Sequence, residues 1–150
     1  VADVMIDKGG EFFHGYTYSG HPACCAVATA NIRLVQELGL VDRVKNDIGP
    51  YLQERWRKLG EHPLVGETRM VGLMGALELV ASKDTLERFP EERGAGTVCR
   101  DIFVENGLVL RAVGDTMVCA PPLVLTHAEA DELADKAWQC LDMTAKALAS

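Results

Sequence analysis

His14-Gly-Tyr-Thr-Tyr-Ser-Gly-His-Pro22 is a dense polar and aromatic turn that opens directly into a helix. Seven of its nine side chains can hydrogen-bond, stack or fix backbone geometry, and Gly15 and Gly20 let the main chain approach another group closely. Such a stretch makes a poor core strand and suits a surface that holds an anionic or planar ligand. Pro22 stands where a first helical residue is welcome, because its missing N–H would be unpaired there anyway. Ala23 to Leu38 then reads as a helix closed by Gly39, which suits the left-handed position past a helix end. The first half of that helix, Ala-Cys-Cys-Ala-Val-Ala-Thr-Ala, is small on every side and suits tight packing against another backbone.

Composition bounds the rest. The 150 residues fit one ordinary domain with a real core, and a hydrophobic fraction of 48% belongs to globular chains. A net charge of −7 argues against a nucleic-acid or anionic-membrane surface, since both need clustered Lys and Arg. Any bound phosphate must therefore be held locally, by backbone N–H groups and hydroxyls. No apolar run approaches a membrane span, and the opening Val-Ala-Asp-Val-Met-Ile-Asp-Lys lacks the regions of a signal peptide. The five cysteines (Cys24, Cys25, Cys99, Cys119, Cys140) are odd in number, two are adjacent, and none forms a CxxC pair. The four histidines are scattered without ligand spacing, so neither a disulfide framework nor a zinc site is expected. The thiols are expected to be reduced and mostly buried, in a cytoplasmic protein. The lack of a Met at position 1 suggests a segment of something longer.

Along the chain, Val41, Val44, Ile48, Leu52, Trp56 and Leu59 recur at helical spacing, and Pro50 should kink that helix by removing the bond back to Asn46. Pro63 and Gly66 mark a loop. Arg69 to Val80 is apolar on both alternating faces and reads as one buried strand. Ser82 to Arg93 is a charged, exposed connection, and Gly96 to Asn106 is a helix burying Val98, Cys99, Ile102 and Phe103. Leu108 to Val113 and Thr116 to Ala120 are short strands around Gly114-Asp115, a type II′ hairpin pattern. Thr126 with Glu129 makes a capping box that starts a long amphipathic helix near His127, reaching about Ala147. The order is helix, helix, strand, helix, hairpin, helix: an α/β sandwich with a short sheet covered by helices.

Two places could carry chemistry. Thr17 stands among glycines and aromatics before a helix start, where unpaired N–H groups and the dipole favour phosphate; it could equally cap a turn, with Tyr16 packing on a core. Arg111 lies on the largely apolar face of Val109 and Val113, opposite Leu108, Leu110 and Ala112. A guanidinium keeps its charge and needs a partner, either a bidentate carboxylate ligand or a structural ion pair such as Asp115. His14 and His21 have no identifiable orienting partner, so turn hydrogen bonding suits both better than acid–base work. Cys24 and Cys25 read as small hydrophobes. Glu78, in a buried strand, needs a partner that the sequence does not name.

Taken with Arg111-Ala-Val-Gly-Asp115 and Ala120-Pro-Pro-Leu123, the opening stretch resembles the class III (omega-type) pyridoxal-phosphate aminotransferases, from about residue 9 to residue 145. The Tyr-Thr-Tyr-Ser-Gly-His-Pro form resembles the omega-amine–pyruvate branch; the ornithine-type and biotin-pathway enzymes carry Asn where His21 stands. The resemblance implies the C-terminal part of a fold-type I transferase: residues 1–40 as the end of a large cofactor domain with an interdomain helix, and 41–150 as a small α/β domain. It implies pyridoxal 5'-phosphate in the intact protein, with Tyr16 and Thr17 holding the cofactor phosphate across a homodimer interface, in the partner subunit's site. It gives Arg111 the substrate carboxylate. The amino group would pass from an omega-amino acid, diamine or amine to pyruvate or a similar keto acid. Transamination also needs a lysine amine and a carboxylate for the pyridinium nitrogen. In the family both lie N-terminal to the threonine motif, and none of the six lysines here follows a buried strand end, so the chain alone should be inactive. A different class remains open: a non-catalytic module keeping this fold for dimerisation or binding.

Overall fold

The computed structural model describes residues 2–10 and 15–149, so His14 lies outside the described residues. The chain divides into two units, one running to Leu38 and one from Gly39. The first holds α1 (Ala2–Lys8) and α2 (Pro22–Glu37). Pro22 sits in the first turn of α2 as expected, and past its end Gly39 takes a φ of +58°. No residue of α2 is buried, Cys24 and Cys25 included, which corrects the expectation that these two thiols pack as hydrophobes. A helix small on every side has no stripe of large apolar side chains to bury within its own unit.

In the second unit one helical run spans four segments. These are α3 (Leu40–Arg43), a π-turn (Val44–Ile48), α4 (Gly49–Lys58) and a 3-10 turn (Leu59–Glu61). The π-turn is how the chain accommodates Pro50. The N–H of Gly49 donates to the carbonyl of Val44, five residues back, and Pro50 falls in the first turn of α4, where its missing N–H is tolerated. Ile48, Leu52, Trp56 and Leu59 are buried as their spacing predicts, but Val41 is exposed and Leu40 takes its place against the core. Trp56 is held further by its indole N–H, which donates to the Ala76 carbonyl at 3.2 Å.

The buried strand expected over Arg69 to Val80 is instead a hairpin of β1 (Val65–Val71) and β2 (Met74–Leu79). Its two-residue turn is Gly72-Leu73, with Val71 opposite Met74 and a φ of +59° at Gly72. The sequence hid this turn because its second residue is apolar and packed inward: Leu73 is buried, and Gln53 of α4 donates to the Gly72 carbonyl at 3.2 Å. Next come a largely exposed connection, α5 (Ala95–Glu105), β3 (Arg111–Val113) and β4 (Thr116–Cys119). Last is α6 (His127–Ala149). Gly114, φ +55°, turns β3 into β4 as the Gly-Asp pair predicted, although both strands are shorter than the sequence suggested.

The four strands form one antiparallel sheet in the order β1-β2-β4-β3. Gly75, Leu77 and Leu79 of β2, with Met117 and Cys119 of β4, point into a core closed by α4, α5 and α6. Each large apolar side chain buried there contributes roughly 1.5–3 kcal/mol. Ala76, Glu78, Thr116 and Val118 alternate to the opposite face and are partly exposed. The α/β architecture with a short helix-covered sheet is therefore the one the sequence implied.

Candidate functional site

Two sites follow from the sequence, one in each unit. In the first, residues 16–21 fold into consecutive tight turns. The N–H of Ser19 donates to the Tyr16 carbonyl at 2.9 Å, and that of His21 to the Tyr18 carbonyl at 3.1 Å. The Ser19 hydroxyl accepts from the Tyr16 N–H at 2.9 Å. This internal bonding uses Ser19 as the turn's own clasp and leaves the Thr17 hydroxyl with no hydrogen bond among the described residues. The described hydrogen bonds of the turn thus run through Ser19 and the backbone. His21 packs edge-on to Tyr18, with ring centroids 6.1 Å apart, in keeping with a role inside the turn. The turn and its side chains are exposed, and α2 begins with no side-chain cap on its first N–H groups.

In the second unit Arg111 opens β3, an edge strand paired with β4 alone. Register places Arg111 beside Val118, Val118 beside Ala76, and Ala76 beside Arg69, in one row across the face of the sheet opposite the core. An arginine thus stands at each end of the row. Their states differ. Arg69 bridges two carboxylates, 2.8 Å from Glu78 and 3.3 Å from Glu67. These two glutamates face each other across the hairpin, a like-charge pair whose repulsion Arg69 offsets by bridging them. Arg69 is therefore the partner Glu78 lacked in the sequence, hidden because the hairpin between them was read as one strand. The Arg111 guanidinium makes no hydrogen bond or ion pair among the described residues. Its alternative partner, Asp115, is engaged elsewhere: it accepts the N–H of Gly96 at 2.9 Å.

Other polar groups serve the scaffold. Buried His62 accepts the Leu64 N–H on Nδ1 at 3.1 Å, which fixes the tautomer that presents Nε2–H to Asp142 at 3.2 Å. Asp131 of α6 binds both Arg55 and Tyr51 of α4. The Arg55 guanidinium, and then the Tyr51 hydroxyl, hold the Asp131 carboxyl below its ordinary value. Burial pushes the thiols of Cys99 and Cys119 up to about 12, so both are inert. Among the described residues no group of His, Cys, Asp and Glu is arranged to hold a metal ion.

The aminotransferase class-III family model matches residues 2–141. The chain is 52% identical over 144 residues to the putrescine–pyruvate aminotransferase of Pseudomonas aeruginosa, covering 96% of this chain and 31% of that protein. It is 42% identical to the mitochondrial gamma aminobutyrate transaminase 1 of Solanum lycopersicum, covering 89% of this chain and 26% of that protein. Among solved structures, the PMP-bound aminotransferase of Vibrio fluvialis superposes with a TM-score of 0.81 at 35% identity. That match covers 96% of this chain and 32% of the other. The chain thus spans about a third of the length of the proteins it matches.

Proposed function

The chain belongs to the class-III aminotransferases, and we propose that it is the C-terminal portion of a pyridoxal-phosphate enzyme. The intact protein moves an amino group from an omega-amino acid, diamine or amine to pyruvate or a similar keto acid. Residues 1–40 end its large cofactor domain and 41–150 form its small domain. The observation that carries this reading is the uncommitted guanidinium of Arg111 on the sheet face opposite the core, while Asp115 is bonded to α5. A planar, permanently charged fork with no protein partner suits a carboxylate that comes and goes with substrate. Among the relatives, one is named for putrescine and pyruvate and another for gamma-aminobutyrate, which supports a diamine or omega-amino acid as donor.

The first unit's turn fits the phosphate of the cofactor. Thr17 offers a hydroxyl with no internal partner, the first N–H groups of α2 lack a side-chain cap, and Gly15 and Gly20 have open space where a Cβ would stand. Bound there, pyridoxal phosphate would supply the electron sink and nitrogen carrier of transamination. Tyr16 and Thr17 anchor its phosphate in the partner subunit's site of a homodimer. Arg111 grips the carboxylate of the keto acid and orients its carbonyl. Three of the six lysines are engaged within the second unit. Lys58 and Lys136 pair with Glu54 and Glu132, and Lys83 donates to the carbonyls of Gly60 and His62. The reactive amine comes from the portion of the enzyme preceding the threonine motif, so the chain by itself is inactive.

Two substitutions in the intact protein test this. Thr17→Ala should weaken cofactor retention on dialysis, followed by the absorbance of the bound cofactor; undiminished retention refutes its role. Arg111→Ala should cut kcat/KM for pyruvate roughly tenfold to a hundredfold, the worth of a charge-assisted bidentate contact. Unaltered pyruvate kinetics refute the assignment.

A further inference from the structure

Arg111 occupies an insecure place. Its strand is three residues long, lies at the sheet edge, and is bonded to β4 alone. Two paired strands of this length hold position poorly by themselves. If Arg111 grips a carboxylate, something must fix its strand to within a fraction of an ångström.

The turn after β3 supplies that fixation through three contacts. The Oδ1 of Asp115 accepts the N–H of Gly96 at 2.9 Å. The carbonyl of Asp115 accepts the N–H of Leu79 at 2.9 Å, tying the same residue to the end of β2. The backbone of Gly114 lies so close to Gly96 that a Cβ there would stand 1.9 Å from the Gly114 oxygen. The first of these contacts is also a helix cap. Gly94, the residue before α5, has no side chain to offer, and the first turn of α5 carries no acidic residue. Asp115 therefore provides from another element the carboxylate that a helix N-terminus favours. The same bond commits the one acid of the β3–β4 hairpin to α5, and the Arg111 guanidinium is left for a ligand.

We infer that Asp115 is a positioning residue for Arg111: it locks the β3–β4 turn onto the start of α5 and sets the guanidinium where substrate carboxylate binds. The inference rests on the assignment of Arg111 to that carboxylate, and it adds a residue that does not touch substrate.

The test uses the intact protein with pyruvate as acceptor and putrescine, which has no carboxylate, as donor. Asp115→Ala should raise the pyruvate KM about tenfold, near what loss of a cap and its register costs, and leave the putrescine KM within about twofold. Asp115→Asn keeps Oδ1 as acceptor and should restore the pyruvate KM. In the Arg111→Ala background, Asp115→Ala should add nothing, because both changes remove one interaction. Should Asp115→Ala fail to fold, Asp115→Glu, which displaces the carboxylate by one methylene, should show the same split between substrates. Equal losses for both substrates, or full additivity with Arg111→Ala, would overturn the positioning role. A strong Arg111→Ala effect without an Asp115 effect overturns it alone; silence of Arg111→Ala overturns the carboxylate assignment itself.

Discussion

Replacing Gly49 by alanine sets two rules of helix chemistry against each other. Gly49 has ordinary helical dihedrals, φ −63° and ψ −58°. In a regular helix interior, alanine there would stabilise by about 1 kcal/mol. The π-turn reverses the sign. A Cβ at Gly49 would lie 2.1 Å from the Val44 carbonyl oxygen, the same atom that accepts the Gly49 N–H. Opening that contact even to 3.0 Å needs a shift of about 0.9 Å (3.0 less 2.1) in backbone, with no side chain free to yield. Overpacking of this kind costs about 1–3 kcal/mol. Loss of that hydrogen bond adds about 1 kcal/mol. The net is a destabilisation on the order of 2 kcal/mol, taken as the balance of these terms. Thermal melting of the intact protein should show the transition of this unit several degrees lower for Gly49→Ala. A raised melting temperature would refute the steric argument, since only a regular α-helix at Gly49 could produce it.

Further outcomes follow from the same structure. Thr126 and Glu129 satisfy each other at the start of α6, with the Glu129 carboxylate accepting the Thr126 N–H at 2.8 Å and the Glu129 N–H donating to Thr126 Oγ1 at 3.2 Å. Thr126→Ala should cost about 1 kcal/mol of stability, read as a lowered melting temperature; no change would mean that α6 starts independently of its cap. The backbone N–H of Thr126, then its hydroxyl, holds the Glu129 carboxyl below its ordinary 4.5, and Arg55 does the same for Asp131 from 3.8. Folded values lowered in this way add stability that is present above the ordinary values and lost as pH falls through the folded ones. The melting temperature should therefore drop on acidification below about pH 4.5, and Thr126→Ala should shallow that drop; an acid-insensitive melting temperature would contradict both assignments. Cys99 and Cys119, buried with thiols near 12, should resist iodoacetamide at pH 8 until the protein unfolds, and labelling at native rates would place them at the surface.

The parts of this fold that local chemistry dictates were readable. Thr126 and Glu129 announce a capping box and Gly114-Asp115 a hairpin, because each is a short-range arrangement of neighbouring groups. What escaped depends on residues far apart. Gly72-Leu73 carries turn geometry with the composition of a core strand, since the turn is packed under α4. Reading it as strand hid the pairing of Arg69 with Glu78. The π-turn escaped because nothing marks the sequence except Gly49-Pro50, which also fits a kink. At the candidate site, Tyr16, Thr17 and Arg111 drew notice as residue types in context. Asp115 drew it only as a possible partner for Arg111; its bond to Gly96 joins residues nineteen apart across two elements.

The decisive measurement is formation of alanine by the intact protein given putrescine and pyruvate, with and without added pyridoxal phosphate. Transamination predicts alanine that accumulates with time, requires both substrates and the cofactor, and falls sharply in Arg111→Ala. A folded, cofactor-loaded protein that forms no alanine from putrescine, gamma-aminobutyrate or beta-alanine would contradict it and favour a binding module built on the same fold.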